Sequence, residues 1–183
     1  MRLAIVDIGC GNIGSVVVAF ERLGLSPLIT SPPGEIAAAS HVVLPGVGAA
    51  GFAMEHITSS GLRELLAILT RPLLGICLGM QLLFDHSEEG DTKCLGIIEG
   101  RVRRLASSPG MPVPHMGWSR LDVRAKSIGL QSGDYVYFAN SFACDDGPHS
   151  PAVVRKDNVL GAQFHPERSG EAGARFLKAF LDR

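Results

Sequence analysis

The sequence predicts a three-layer α/β fold, in which helices cover both faces of a mostly parallel sheet. In the first half of the chain, short aliphatic and β-branched runs alternate with longer helical patterns. The second half changes to short strands and turns, which indicates a mixed or antiparallel extension of the sheet. The length of 183 residues and the 46% hydrophobic content suffice for one domain over residues 1–183 with a full core.

The elements of the first half follow from apolar periodicity and from turn residues. We expect strands at residues 2–7, 26–30, 41–44 and 73–76. We expect helices at residues 12–23, 35–39 and 50–69, the last one broken near residues 59–61. Because strands and helices alternate, neighbouring strands should run parallel, as in a doubly wound, flavodoxin-like sheet.

The second half contains shorter strand patterns and one amphipathic helix. Strands are expected at residues 97–105, 119–123, 135–138, 152–155 and 159–163. A helix is expected at residues 171–181, with Phe176, Leu177 and Phe180 on its apolar face. Two loops complete this half, at residues 106–112 and 145–151.

The composition argues against several classes of partner. With 17 basic and 18 acidic residues the formal net charge is −1, so we expect neither a nucleic acid nor a membrane as partner. No stretch reaches the roughly 18 apolar residues of a membrane span, and no signal peptide is evident, so we expect a cytosolic protein. The cysteines lack zinc-ligand spacing, which favours free thiols over disulfides or a metal site. They are Cys10, Cys77, Cys94 and Cys144.

One cysteine lies in a special segment, Gly-Ile-Cys-Leu-Gly-Met-Gln at residues 75–81. Cys77 follows an apolar strand and precedes a helical pattern, and the flanking glycines let the backbone turn without a clash between β-carbons. A thiol at such a turn projects from the sheet, and the amides of the next helix favour a thiolate. The segment is the cysteine version of the nucleophile elbow. A cysteine between glycines is often only a small buried residue. Whether Cys77 is a catalytic nucleophile therefore depends on the presence of partner groups elsewhere in the chain.

A nucleophilic thiol needs a base and a group that orients this base. His165 and Glu167 lie in Gln-Phe-His-Pro-Glu at residues 163–167, directly after a predicted strand. Because they are two apart on an extended segment, their side chains should point to the same side. Parallel strands carry their sites at their carboxyl ends, so Cys77 and His165 can meet despite their separation in sequence.

Attack on a carbonyl also needs donors for the resulting oxyanion. Pro-Gly-Val-Gly at residues 45–48 follows a predicted strand and offers the backbone amides of Gly46, Val47 and Gly48. The amide of Leu78 adjoins the nucleophile. Each such donor contributes on the order of 3 kcal/mol in the transition state. A nucleophile, a base, an orienting group and oxyanion donors are therefore all present.

These motifs resemble those of the class I glutamine amidotransferases, and in particular the glutaminase subunits of imidazole glycerol phosphate synthases. The matching segments are residues 7–12, 44–48, 75–84, 87–90, 113–118, 137–138 and 163–167. The resemblance implies hydrolysis of L-glutamine to glutamate and ammonia through a thioester on Cys77. It also implies a partner cyclase subunit, which uses the ammonia to make imidazole glycerol phosphate and aminoimidazole carboxamide ribotide in histidine biosynthesis.

The same resemblance suggests roles for single residues. Gln81 would contact the substrate amide, and Gly46 and Val47 would form the oxyanion loop. We hypothesise that Val47 is a switch, which turns an amide inward only when the cyclase is occupied. The expected partner surface comprises Asn12, Met116, Trp118 and Tyr137.

The chain departs from the family pattern at three positions near the expected partner surface. Asn140 and Phe142 replace a usual histidine and tyrosine, and Arg168 replaces a usual lysine. These departures concern docking and any contact at Asn140, and they leave the predicted catalytic residues unchanged.

Three other interpretations compete with this one. Gly-Cys-Gly-Asn-Ile-Gly at residues 9–14 matches the dinucleotide pattern G-x-G-x-x-G, but that site needs an acidic residue about 20 positions on, where Thr30 stands. We therefore expect no nucleotide cofactor. A paralogous amidotransferase that feeds ammonia to another synthase would share most motifs. A catalytically inactive interaction subunit would too, although the intact Cys77, His165 and Glu167 argue against it.

Overall fold

The computed structural model describes residues 1–9, 11–124, 128–144 and 150–183. The strands are β1 (Leu3–Val6), β2 (Leu28–Thr30), β3 (His41–Gly46), β4 (Leu73–Cys77), β5 (His86–Ser87), β6 (Thr92–Lys93), β7 (Arg101–Arg104), β8 (His115–Arg120), β9 (Tyr135–Asn140), β10 (Phe142–Cys144), β11 (Val153–Lys156) and β12 (Val159–Ala162). The helices are α1 (Ile13–Glu21), α2 (Pro33–Ala37), α3 (Ala50–Ser59), α4 (Leu62–Ile68), α5 (Leu78–Gln81) and α6 (Gly170–Leu181), with 3-10 turns at Glu89–Asp91 and Pro166–Arg168. None of the helices in these ranges has the length and apolar character needed to cross a membrane.

The central sheet has six strands in the order β11-β12-β4-β3-β1-β2. All neighbours pair in parallel except β11, which pairs antiparallel with β12. Counted from β2, the parallel strands follow the order of flavodoxin-like sheets. A four-stranded mixed sheet, β10-β7-β5-β6, and the antiparallel β8-β9 ribbon accompany it. The predicted fold class, a mostly parallel sheet with a mixed extension, is confirmed.

Two apolar cores lie on opposite faces of the central sheet. One core packs α2, α3 and α4 against the sheet and includes Ile57 and Leu66. The other packs α1 and α6 against it and includes Phe20, Phe176 and Phe180, all fully buried. Alternate residues of each strand point into the two cores, which produces the three layers. The apolar face predicted for the last helix is accordingly buried.

The first half contains the predicted elements with altered bounds. The helix expected over residues 50–69 is divided into α3 and α4 at Gly61, whose φ is +72°. β3 and β4 run further than predicted, because the pairing of Gly46 with Cys77 lengthens their ladder. α1 begins one residue later than expected, and Asn12 caps it by accepting from the amide of Ser15 at 3.4 Å.

Several bounds predicted for the second half are wrong. The strand expected over residues 97–105 is reduced to β7, since the amides of Ile97 and Ile98 donate to the Leu83 carbonyl and not to a sheet. The strand expected at residues 119–123 is instead β8, which pairs along its whole length with β9. The very short strands β5, β6 and β10 were not predicted, because so few residues show no periodicity. Residues 145–149 of an expected loop lie outside the described ranges.

The turn from β4 into α5 brings helix backbone directly against the sheet. A Cβ on Gly79 would lie 1.8 Å from the carbonyl oxygen of Leu44, and one on Gly75 would lie 2.6 Å from that of Gly79. Both distances are far below van der Waals contact, so only glycine fits at either position. The two glycines that frame Cys77 are therefore required by packing.

We predict that Gly79→Ala destabilises the fold by about 3 kcal/mol or more, because its methyl group would overlap backbone that cannot move aside. Urea unfolding measures this free energy. The matched control is Gly14→Ala in α1, where no atom lies within 4 Å of the added Cβ. It should change the free energy of unfolding by less than about 1 kcal/mol. An unfolding curve of Gly79→Ala that coincides with the wild-type curve would contradict the packing described above.

Candidate active site

Cys77 ends β4 in a backbone conformation that few residues other than glycine adopt. Its φ is +52° and its ψ is −110°, and such backbone costs on the order of 1–3 kcal/mol. The close contacts of Gly75 and Gly79 with neighbouring backbone hold the turn in place. Strain of this kind concentrates at functional sites, because only surrounding packing can maintain it. The thiol thus lies at the apex of a tight strand-to-helix turn.

The helix that follows Cys77 is shorter than predicted. α5 has only 4 residues, and an irregular turn at Leu82 and Leu83 replaces its expected continuation. Because a helix dipole sums over aligned peptides, its effect on the thiol is smaller than the sequence pattern suggests. Other groups must therefore supply most of the positive charge and the donors around the sulfur.

Three adjacent strands bring the predicted site residues to one end of the central sheet. β4 lies between β3 and β12, with Gly46 opposite Cys77 and Ala162 opposite Ile76. The segments that follow these strands converge on a cleft of about 330 Å³. The predicted residues that line it are Asn12, Val47, Gly48, Cys77, Leu78, Gln81, His165 and Glu167. The cleft is completed by Glu89, Ala139, Asn140, Ser141, Phe142 and Arg168.

His165 and Glu167 form a buried pair beside the thiol. Nδ1 of His165 lies 2.8 Å from Oε1 of Glu167, and the two side chains are 9% and 3% exposed. The contact was predicted to arise because both residues lie on one side of an extended segment. This backbone prediction is wrong, since Pro166–Arg168 forms a 3-10 turn. His165 also interacts with Cys77, and the two residues line the same cleft. Glu167, His165 and Cys77 are therefore neighbours in the site.

Burial and hydrogen bonding act in opposite directions on the pKa of His165. Burial is the largest single influence and disfavours the charged ring. The hydrogen bonds to Cys77 and Glu167, together with the charges of these groups, outweigh it and raise the pKa from 6.5 to about 10. The imidazole is therefore protonated at neutral pH. Beside a thiol, such a ring can stabilise a thiolate and later donate its proton.

The other described cysteines differ from Cys77. Cys94 and Cys144 are buried, and burial raises the pKa of Cys94 to about 11, which keeps it a thiol. Cys10 lies outside the described ranges. Among the residues that the structure describes, no group of three His, Cys, Asp or Glu side chains is arranged to hold a metal ion.

The loop after β3 is anchored beside the thiol at both ends. Gly46 pairs with Cys77, and the Ala50 amide at the start of α3 donates to Oε2 of Glu89 at 2.9 Å. Between these anchors lie Val47 and Gly48, and Val47 is 39% exposed. No role was predicted for Glu89, although it lies in the Ser-Glu-Glu-Gly segment at residues 87–90 that resembles the family.

The side-chain amide donors of Gln81 are already engaged within the protein. Its Nε2 donates to the Phe142 carbonyl at 2.8 Å and to Oε1 of Gln163 at 3.0 Å. A side-chain contact from Gln81 to a ligand must therefore use its oxygen. Gln163 belongs to the predicted Gln-Phe-His-Pro-Glu motif, but sequence reasoning missed any role for it, because its partners lie far along the chain.

Two departures from the family pattern meet at one carbonyl group. Asn140 is 8% exposed, its Nδ2 donates to the Phe142 carbonyl at 2.9 Å, and its Oδ1 has no hydrogen-bond partner in the described part of the chain. The Phe142 ring lies beneath the guanidinium of Arg104, 5.9 Å from the ring centroid. The Phe142 carbonyl thus accepts from both Asn140 and Gln81 and ties them into the cleft wall.

An exposed aromatic surface on the β8-β9 ribbon adjoins the cleft. Met116 is 65% and Trp118 56% exposed. Trp118 meets Tyr137 edge to face with centroids 6.0 Å apart, and the Arg168 guanidinium lies 4.7 Å from the Tyr137 centroid. We name these four residues the ribbon surface. Asn12, the other residue expected to contact a partner, lies at the cleft. Exposed apolar residues beside a cleft mark interaction sites.

The architecture is that of the class I glutamine amidotransferases, and the chain belongs to this family, whose sequence model matches residues 4–183. The chain is similar to the imidazole glycerol phosphate synthase subunit HisH of Xylella fastidiosa strain Temecula1. The two are 47% identical over 194 residues, which cover 99% of this chain and 97% of that protein. The subunit of the same name from Idiomarina loihiensis is 47% identical over 193 residues, covering 100% and 98%.

Solved structures share the fold at low sequence identity. A crystal structure of a glutamine amidotransferase has a TM-score of 0.77 at 17% identity and covers 100% of this chain and 98% of that one. The glutaminase domain of Trypanosoma brucei CTPS, solved with bound acivicin, has a TM-score of 0.67 at 15% identity, covering 100% and 94%. These likenesses establish the fold.

We predict that Glu167→Gln weakens the pH dependence of stability. The pKa of His165 in the folded protein, about 10, exceeds its ordinary 6.5. The imidazolium therefore contributes stability that is complete below about pH 6.5 and is lost as the pH rises through about 10. Without the carboxylate this pKa falls, so less stability is lost in that window.

Urea unfolding from about pH 6 to about pH 10 measures this dependence. The control is Glu171→Gln, which removes an exposed carboxylate at the start of α6. An equal loss of stability over this range in wild type and Glu167→Gln would count against the coupling between Glu167 and His165.

Proposed function

We propose that this protein is a cytosolic glutaminase subunit, which hydrolyses L-glutamine to L-glutamate and ammonia. The observation that carries the proposal is the hydrogen-bonded pair of Glu167 and His165 beside the strained Cys77, at the wall of an open cleft. Membership of the amidotransferase family and 47% identity to a HisH subunit over nearly the whole chain support the same reaction.

Cys77 acts as the nucleophile. As a thiolate it attacks the side-chain carbonyl carbon of glutamine, so that a C–S bond forms and the carbonyl oxygen becomes an oxyanion. Protonated His165 then donates its proton to the amide nitrogen, the C–N bond breaks, and ammonia leaves behind a glutamyl thioester. Glu167 holds Nδ1 of the imidazole, which leaves Nε2 for the thiol and the leaving group.

Water completes the cycle. Neutral His165 takes a proton from water, the hydroxide attacks the thioester carbon, and the C–S bond breaks. Glutamic acid is released and ionises, while the thiolate and the imidazolium are restored. The buried carboxylate of Glu167 stabilises the imidazolium that is present before the attack and is restored at the end of the cycle.

Backbone amides stabilise the oxyanion. We assign this role to the loop of Gly46, Val47 and Gly48 and to the amide of Leu78, each worth on the order of 3 kcal/mol. The anchoring of this loop through Ala50 and Glu89 supports the assignment, since it keeps the loop beside the thiol. Gln81 contacts the substrate through its free side-chain oxygen.

The ammonia passes to a partner cyclase subunit, with which this chain forms an imidazole glycerol phosphate synthase of histidine biosynthesis. The names of its relatives, each a subunit of that synthase, support this pairing. The ribbon surface, with Asn12 beside it, is the docking site, because aromatic anchors dominate the energy of many interfaces. Val47, in the loop nearest the thiol, is the switch through which an occupied partner completes the oxyanion site.

Two rival functions remain as alternatives. A paralogous subunit that feeds another synthase would use the same cleft, and mixing with the histidine-pathway cyclase discriminates between them. An inactive interaction subunit would have no need for a strained thiol and a charged histidine beside it, which argues against that function.

We predict that Cys77→Ala lowers glutamine hydrolysis about 1,000-fold or more, because no thioester can form. Cys94→Ala is the control and should retain most of the activity, since that thiol is buried and does not line the cleft.

We predict that the wild-type rate of glutamine hydrolysis rises about 100-fold or more when the cyclase and its nucleotide ligand are added, because one added oxyanion donor has an effect of this size. Equal wild-type rates with and without the loaded partner would refute the Val47 switch, and activity in Cys77→Ala would refute the mechanism.

We predict that Trp118→Ala raises the dissociation constant for the cyclase about 30-fold or more, as expected for an aromatic hot spot. Isothermal titration calorimetry measures this constant. Ile68→Ala is the control, because Ile68 is 75% exposed but belongs neither to the cleft nor to the ribbon surface. If both variants bind as tightly as wild type, the docking site lies elsewhere.

A further inference from the structure

We propose that Gln163 is a positioning residue for the nucleophile, whose side-chain amide donates a hydrogen bond to the sulfur of Cys77 and is held in that orientation by Gln81. The proposal rests on the proposed function and deepens it, since it adds a member to the same site. Family membership and the triad geometry do not by themselves assign this role. It follows from a chain of buried polar contacts.

The contacts link the Phe142 carbonyl to the sulfur through two glutamine amides, and Gln81 donates to both of its neighbours. Nε2 of Gln81 donates to the Phe142 carbonyl at 2.8 Å and to Oε1 of Gln163 at 3.0 Å. Nε2 of Gln163 lies 3.9 Å from Sγ of Cys77, a separation that the large sulfur atom permits. Gln81, Gln163 and Cys77 are only 5%, 2% and 6% exposed, so the contacts among them are largely shielded from water.

The orientation of the Gln163 amide is determined by its neighbours. If its nitrogen and oxygen exchanged places, the nitrogen would face the donor group of Gln81 and the oxygen would face the sulfur. Both contacts would be repulsive once the sulfur is a thiolate. Gln81 cannot turn to relieve them, because its side-chain oxygen would then face the Phe142 carbonyl oxygen, and both groups only accept. The donor of Gln163 is therefore directed at Cys77.

The strand register places the two residues side by side. Ala162 lies opposite Ile76 in the parallel pair of β12 and β4, so the next residues, Gln163 and Cys77, are neighbours. The backbone amide of Gln163 also donates to the Ala152 carbonyl at 2.9 Å, which keeps this segment on the sheet. The side-chain contact is thus built on rigid elements.

A donor at this position has a chemical consequence. Hydrogen bonds strengthen when the acceptor is charged, so the Gln163 amide favours the thiolate over the thiol. With His165 as the second donor, the sulfur is held from two directions. This compensates for the short α5, whose few peptides add little dipole.

The test is the pH dependence of Cys77 alkylation by iodoacetamide, followed on the Cys77 peptide by mass spectrometry. Gln163→Met removes the donor at similar volume, and Gln163→Glu replaces it with a carboxylate. We expect the pH midpoint of alkylation to rise by about one unit in Gln163→Met, the effect of one hydrogen bond to a charged group, and by more in Gln163→Glu. The matched control is Gln131→Glu, at an exposed position, which should leave the midpoint unchanged.

An unchanged midpoint in either folded Gln163 variant would overturn the proposal. If neither variant shows a cooperative thermal transition, Gln81→Met decides instead, since it releases the Gln163 amide. A raised midpoint then supports the role of Gln163, and a wild-type midpoint overturns it. Because alkylation needs no glutamine, the comparison decides this role whether or not the wild type hydrolyses glutamine.

Discussion

The close approach of α5 to the central sheet is the constraint on which the site depends. The Gly79 backbone lies so near the Leu44 carbonyl that an added Cβ would stand 1.8 Å from the oxygen. A helix can lie that close only if the strand before it ends in an abrupt turn, and Cys77 makes this turn with a φ of +52°. The surrounding strands support the strained residue, so the thiol is held in one position before any ligand binds.

Around this thiol lie buried polar groups whose mutual contacts offset the free-energy cost of their burial. Burial alone would deprotonate His165, yet its contacts with Cys77 and Glu167 raise its pKa to about 10. The result is a proton donor kept beside a nucleophile, which is the combination that cleavage of an amide bond requires. The exposed aromatic ribbon surface adjoins the same cleft, so the proposed sites of hydrolysis and of partner docking are neighbours in space.

Local patterns predicted the parallel half of the fold well and the second half less well. Strands such as β3 are indicated by a short apolar run, and helices such as α6 by an amphipathic period. Both signals depend only on neighbouring residues. The prediction of a strand over residues 97–105 is wrong at its start, because the backbone amides of Ile97 and Ile98 donate to the Leu83 carbonyl and not to a neighbouring strand. The contact of His165 with Glu167 was expected on an extended segment, but a 3-10 turn makes it. Residue types indicated which groups meet, whereas the backbone path between them depended on packing.

The turn at Cys77 is readable from local residues, because a cysteine framed by glycines after an apolar strand is typical of a tight strand-to-helix turn. The motifs of the sequence also determined the family. The folded chain was needed to show that Gln81 bonds to Gln163, 82 positions away, and that Glu89 holds the start of α3, 39 positions away. A buried polar group bonds to whichever partner is desolvated with it. That partner is known only once distant strands have packed together.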